Sequence, residues 1–249
     1  MKKLATAKTP HIVAHRGLSY AAPENTLAAY QMAIDSGAEM AECDVHLSQD
    51  GVAVLLHDDT VDRTTNGTGL AADKSLAELQ SLDAGGWKDP AFAGERIPTL
   101  AEALRFVRGK MRFIIEIKGN TMGPAVLRAM RDVGSSPEEV LIISFYYTAI
   151  TDIRALDNRL PAAWLWEGLP DDESDREALF ERALQAGVEG IGLPRQCVDQ
   201  RFVNSAHEHA LQVFVFTVNE EEEMRRIAAL GVDALITDRP DLAQRTLQA

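Results

Sequence analysis

Short apolar runs alternate along the chain with longer stretches whose apolar residues recur at helical spacing. Ile12-Val13-Ala14-His15 reads as a first strand. A helix follows, with Leu27, Tyr30 and Ile34 on one face, Asn25 as its N-cap and Gly37 as its end. Residues 40–47 then form an apolar context around Glu42-Cys43-Asp44-Val45-His46, the mark of a buried strand. Asp50-Gly51 is a hairpin turn signal that leads into a strand over 52–57.

From Thr60 to about Pro98 the alternation breaks. Gly67, Gly69, Gly85, Gly86 and Pro90 punctuate this stretch, and the capping box Ser75-Leu76-Ala77-Glu78 opens one short helix within it. Trp87 and Phe92 favour an ordered flap over a disordered linker. Alternation resumes with a helix face at Leu100, Leu104 and Val107. Further strands are predicted over 113–118, 140–145, 162–166, 189–193, 213–218 and 234–238, with helical patterns between them. The acidic stretch Asp171-Asp172-Glu173 reads as a solvated loop and helix start. Eight strands separated by helices, apart from the hairpin strand, imply a parallel sheet. The 249 residues are close to the roughly 250 of a (β/α)8 TIM barrel. The expected architecture is therefore α/β: one barrel domain over 1–249, with a small insertion after the second strand at about 60–98. No strand is followed by Gly-x-Gly-x-x-Gly, which removes the main support for a dinucleotide fold.

The carboxylate strand carries the chemistry. Glu42 and Asp44 point to one face of it and Cys43 to the other. Glu42 lies about 6.5 Å deeper along the strand, but its extra methylene lets it reach the level of Asp44. A buried pair of like charges is costly unless a cation lies between them. On local sequence alone, a shared metal ion and a pair bonded to backbone amides or an arginine are equally good readings. The rest of the chain bears on the choice, because reactive groups in such a barrel collect at the C-terminal strand ends. His15-Arg16-Gly17, His57, Glu116, Lys118, Asn219 and Asp238 all fall there. Glu42, Asp44 and Glu116 make an all-oxygen set that suits Mg²⁺ or Ca²⁺ better than zinc. Arg16 and Lys118 supply positive charge for a phosphate. His15 and His57 can act as base and acid on either side of a phosphorus. Together these describe hydrolysis of a phosphodiester. Structural readings stand beside them: Lys118 could simply neutralise Glu116, Asn25 and Asp238 read as helix caps, and His11, His207 and His209 as hydrogen-bonded structure. His46 shares the parity of Glu42 and Asp44.

Composition narrows the partners. The chain has 25 basic and 38 acidic residues, a net charge of −13, and 46% hydrophobic residues. That argues against nucleic acid and anionic membrane surfaces, so any anionic substrate needs a local positive site. Cys43 and Cys197 stand in no metal or redox spacing. The start, Met1-Lys2-Lys3-Leu4-Ala5-Thr6-Ala7-Lys8, has the charge of a signal peptide without its apolar run. A cytoplasmic protein without stable membrane association is expected; nothing in the sequence sets its oligomeric state.

Taken in order, His15-Arg16-Gly17, Pro23-Glu24-Asn25-Thr26, Glu42-Cys43-Asp44-Val45, Asp50-Gly51, His57-Asp58, Arg63-Thr64-Thr65, Ile97-Pro98-Thr99-Leu100, Glu116-Ile117-Lys118, Phe216-Thr217-Val218-Asn219 and Thr237-Asp238-Arg239-Pro240 resemble the glycerophosphodiester phosphodiesterases over essentially the whole chain. The resemblance implies a (β/α)8 barrel with an insertion after the second strand. It implies hydrolysis of small glycerophosphodiesters, such as glycerophosphocholine or glycerophosphoethanolamine, to sn-glycerol 3-phosphate and an alcohol with Mg²⁺ or Ca²⁺. By motif, His15 and His57 match the acid/base pair, Glu42, Asp44 and Glu116 the metal ligands, and Arg16 and Lys118 the phosphate side. Two positions depart from the family pattern: Phe216 stands where a tryptophan is common, keeping an apolar wall for glycerol but losing the indole donor, and Ser48-Gln49 replaces Thr-Lys at the hairpin. A lysophospholipid or inositol phosphodiester is the alternative substrate, with Trp87 and Phe92 as an apolar approach. A catalytically silent binding barrel is the alternative of another class.

Overall fold

The computed structural model describes residues 9–168 and 173–247. Asp171, Asp172 and residues 1–8 lie outside the described residues. The strands are β1 His11–Ala14, β2 Met40–Leu47, β3 Ala53–Leu55, β4 Arg112–Ile117, β5 Val140–Ser144, β6 Ala162–Leu165, β7 Gly190–Pro194, β8 Gln212–Phe216 and β9 Ala234–Thr237. β3 folds back antiparallel on β2 through the predicted hairpin. The other eight run parallel, and β1 pairs with both β9 and β2, so the sheet closes into a TIM barrel. Around it lie α1 Leu27–Asp35, α2 Leu76–Ser81, α3 Leu100–Val107, α4 Gly123–Val133, α5 Tyr147–Leu156, α6 Glu173–Gln185, α7 Gln200–Glu208, α8 Glu221–Ala229 and α9 Pro240–Leu247. No helix among the described residues is long and apolar enough to cross a membrane.

The period-two alternation of each strand sorts its residues into two cores. Ile12, Ala41, Cys43, Val45, Phe113 and Ile115 face outward into the layer beneath the helices. Val13, Met40, Ile114, Leu141, Phe214 and Ala234 face inward and plug the barrel. β7 is thin where the interior is crowded: a Cβ on Gly192 would lie 2.4 Å from Leu165 Cδ2, and one on Gly190 2.7 Å from the Phe214 ring.

The excursion after β3 is ordered and has a core of its own, in which Val61, Ala71, Leu79, Ala84 and Ile97 pack on Val54 and Leu56. α2 opens with the expected capping box, Ser75 and Glu78 each bonding the other's backbone N–H. Lys88 Nζ donates to the Ser19 carbonyl at 2.8 Å, tying the excursion to the turn after β1. Trp87 is turned to its own loop, its Nε1 donating to the Ala84 carbonyl.

Candidate active site

The same parity that fills the barrel builds its mouth. Met40 and Ile114 close the floor, and the next inward positions are Glu42 and Asp44 on β2 and Glu116 on β4. Asp44 lies directly opposite Glu116 in the register. All three carboxylates are buried, and each offers an oxygen within 4.8 Å of the others. Lys118, two residues past Glu116, turns back: its Nζ lies 2.6 Å from Glu116 Oε1 and 2.8 Å from Asp44 Oδ1. The structural ion pair considered for Lys118 therefore exists, and it includes Asp44 as well.

His15 is the first residue past β1. Arg16 and Gly17 complete a turn with φ of 56° and 84°. Gly17 is required there twice over, because a Cβ would lie 2.6 Å from the Ala29 carbonyl carbon. The turn aims the Arg16 N–H at Glu42 Oε2, 3.0 Å away, and its guanidinium at Glu24 (2.8 Å) and Asp44 (2.9 Å). His57 follows the hairpin strand. Each histidine is held at Nδ1 by a carboxylate: His15 by Asp238 and His57 by Asp58, both at 2.6 Å. A carboxylate only accepts, so Nδ1 carries the proton in each ring and Nε2 remains for the cavity. His15 Nε2 lies 4.0 Å from Glu42 Oε2.

His15, Arg16, Glu42, His57, Glu116 and Lys118 line one cavity of about 210 Å³, whose opposite wall is Ile143, Phe145, Leu165, Phe216 and Ile236. Phe216 thus forms part of an apolar wall. Trp87 and Phe92 do not border this cavity.

The electrostatics are those of a site short of positive charge. Burial, then repulsion from Asp44 and Glu116, pushes Glu42 well above the usual carboxylate range. Burial and Asp44 push Glu116 up to about 7. Burial opposes ionisation of Asp44 too, but Arg16 and Lys118 hold its carboxyl well below its ordinary value. Burial lowers His57, against the pull of Asp44. Glu42 Oε1 is buried without any hydrogen-bond partner, and Asp44 Oδ1 has only the close but poorly aligned Lys118. Such orphaned oxygens are rare in a folded protein without a further ligand. An oxygen-only donor set, buried, with an unpartnered atom at its centre, fits a hard divalent cation.

The comparisons agree with the fold. A family model for the glycerophosphoryl diester phosphodiesterase family matches residues 15–242. The chain belongs to this family. A glycerophosphodiester phosphodiesterase of Caldanaerobacter subterraneus subsp. tengcongensis is 35% identical, over 92% of this chain and 94% of the relative. One from Bacillus subtilis is 32% identical, over 92% and 84%. An Oleispira antarctica phosphodiesterase, solved in complex with the product sn-glycerol-3-phosphate, superposes with a TM-score of 0.89 at 31% identity, covering 97% of this chain and 98% of the other. As a glycerophosphodiester phosphodiesterase the chain is an enzyme, a phosphoric diester hydrolase.

Several residues of this phosphodiesterase do more than their sequence suggests. Asn25 is not the cap of α1; that is Thr26, whose hydroxyl accepts from the Ala29 N–H. Asn25 instead sits at φ 59° and is buried against Asp44. Its Nδ2 donates to Asp44 Oδ2 at 2.8 Å, and its Oδ1 accepts from the Asp44 N–H and the Tyr30 hydroxyl. Asp238, read as a cap, spends its oxygens on His15, Ser19 and Asn219. Arg63 bonds both Asp58 and Glu24, linking the two sides of the mouth. His46 donates to the His57 carbonyl at 3.1 Å and so steadies the neighbouring strand end. His11, His207 and His209 are hydrogen-bonded away from the mouth, as expected.

Proposed function

We propose that the enzyme hydrolyses glycerophosphodiesters such as glycerophosphocholine or glycerophosphoethanolamine to sn-glycerol 3-phosphate and the free alcohol. The observation that carries this reading is the juxtaposition of three buried carboxylates, one with an unpartnered oxygen, with two histidines that are each fixed at Nδ1 beside one cavity. In it His15 and His57 are the catalytic acid and base, acting through Nε2. One takes the proton of the attacking oxygen and the other returns a proton to the departing alcohol. Arg16 and Lys118 meet the charge that builds on the phosphoryl oxygens. Phe216 packs against the glycerol carbons. Glu42, Asp44 and Glu116 would hold Mg²⁺ or Ca²⁺, which when bound supplies Lewis-acid neutralisation of a phosphate oxygen.

The attacking oxygen belongs either to water or to the glycerol 2-hydroxyl, which would give a cyclic phosphate first. Single turnover in ¹⁸O water separates the two routes: label in the first-formed phosphate marks attack by water, and a trapped, unlabelled cyclic phosphate that precedes the labelled product marks attack by the hydroxyl. The reading as a whole is tested by glycerol 3-phosphate release from a panel of headgroups, with and without chelator. Release that is abolished by chelator and restored by Mg²⁺ or Ca²⁺ is expected; metal-independent turnover would remove the three carboxylates from their role.

A further inference from the structure

The two histidines of the mouth are braced from different parts of the chain. Asp238, which holds His15, is itself held by groups at the barrel rim: Ser19 Oγ donates to it at 3.0 Å and Asn219 Nδ2 at 2.6 Å. Asp58, which holds His57, has no such support. Among the described residues its carboxylate meets only the His57 ring and the Arg63 guanidinium.

Arg63 belongs to the excursion after β3, and it grips two carboxylates at once. Its Nε and Nη2 donate to Asp58 Oδ2 and Oδ1 at 2.7 and 3.1 Å. Its Nη1 and Nη2 donate to Glu24 Oε2 and Oε1 at 2.7 and 2.9 Å. A planar fork can serve both acids in this way; a single ammonium cannot. Glu24 passes the hold on, because its Oε1 also accepts from Arg16 Nη1 at 2.8 Å. One chain of charges thus runs from Arg16 through Glu24, Arg63 and Asp58 to His57. Both acids keep their charge within it. Hydrogen bonds from Arg63 hold the Asp58 carboxyl well below its ordinary value. Burial works against ionisation of Glu24, but Arg63 and Arg16 still hold it below its ordinary value. The backbone that carries Arg63 is fixed in its turn. The buried Thr65 hydroxyl donates to the Val61 carbonyl and accepts from the Gly67 N–H, and the Val61 N–H bonds the Gly69 carbonyl.

We propose that Arg63 is a positioning residue: through Asp58 it fixes the ring of His57, through Glu24 it fixes the Arg16 guanidinium, and the excursion thereby braces the mouth. This rests on the roles given to His57 and Arg16 in the reading above. Arg63 lines neither the inner cavity nor the wider space outside it, so its effect passes through the residues it holds. A reacting group displaced by about 1 Å can lose on the order of 10²-fold in rate. His57 and Arg16 each keep one other restraint, the ring its bond to Asp58 and the guanidinium its ion pair with Asp44. Loss of the brace therefore widens their spread of positions rather than removing them, and a smaller effect, about tenfold, is expected.

The test replaces Arg63 with Met, which removes the fork, and with Lys, whose ammonium can serve one carboxylate but not both. With glycerophosphocholine as substrate, kcat is expected to fall about tenfold in Arg63→Met and about threefold in Arg63→Lys, while KM changes less. Nitrogen-15 NMR of the imidazoles gives a second readout that needs no turnover. In the wild type both rings are expected as the Nδ1–H tautomer. In Arg63→Met the His57 signals are expected to move toward a mixture of tautomers while those of His15 stay in place, because Asp238 keeps Ser19 and Asn219. Unmoved His57 signals, a change shared equally by His15, or kcat within about twofold of wild type in both variants overturns the proposal. Should Arg63→Met not fold, Arg63→Lys carries both readouts. A wild type that releases no glycerol 3-phosphate would overturn the activity reading instead, and the NMR comparison would still decide whether Arg63 holds the His57 ring.

Discussion

Each histidine at the mouth is pinned at one ring nitrogen and free at the other. In the mechanism proposed above, replacing His15 or His57 with Ala removes a proton-transfer group and little packing. Turnover is expected to fall by about 10² or more with the fold intact; circular dichroism and steady-state kinetics check both halves. Asp238→Asn tests the pin itself. Its amide can donate to His15 Nδ1 and favour the wrong tautomer, so kcat should fall about 10- to 100-fold while KM changes little. A larger change in KM than in kcat would place Asp238 on the substrate instead. Glu116 gives a pH signature. Its carboxyl is raised to about 7, so the folded chain holds that proton more tightly than the unfolded one. The resulting stability is present at pH values below its ordinary 4.5 and is lost as pH rises through about 7. Chelated enzyme should therefore lose Tm between about pH 5 and pH 8, and Mg²⁺ or Ca²⁺ should raise Tm more at the higher pH, because protons compete for the same oxygens. In Glu116→Gln that pH-dependent gain should shrink, as read by thermal denaturation with and without the ion.

At the level of elements, the turn between β1 and α1 is the most constrained piece of the mouth. Gly17→Ala must place a methyl group against the Ala29 backbone at a φ of 84°. A loss of about 1–3 kcal/mol in chemical denaturation is expected, with a fall in activity as Arg16 shifts. This turn also marks where sequence reading stops. Strand parity made Glu42, Asp44 and Glu116 legible, because a period of two needs no knowledge of the rest of the fold. Strand ends made His15 and Lys118 legible for the same reason. Asn25 and Asp238 look like caps in the sequence and are not, since a short polar residue just before a helix looks the same whether it bonds its own backbone or a strand across the barrel. Asn25 reaches Asp44, 19 residues on, and Asp238 reaches His15, 223 residues back. Contacts of that span have no local signal. The Arg63 bridge from Asp58 to Glu24 is of the same kind.

For the whole molecule, the charge of −13 opposes the approach of anions, while Arg16 and Lys118, the cations proposed to receive a phosphate, line the inner cavity. Diesters of unlike net charge should feel this differently. Raising ionic strength from about 0.01 M to about 0.15 M shortens the screening length from about 30 Å to about 8 Å. The kcat/KM for a net anionic diester such as glycerophosphoglycerol should then rise, while that for zwitterionic glycerophosphocholine changes less. Equal responses would mean that the global field does not reach the mouth.

The odd-and-even reading of β2 has a further consequence for how this protein can vary. Cys43 and Val45 lie in the outer core, while Glu42 and Asp44 lie at the inner mouth. Deleting one residue before Glu42 would exchange the two sets, burying bare carboxylates under the helices and turning apolar groups toward the reaction space. Folding and turnover would fail in the same step. Frame-shifting length changes in this strand are thus lethal to both, and chemical divergence in this lineage has to proceed by side-chain replacement at fixed register.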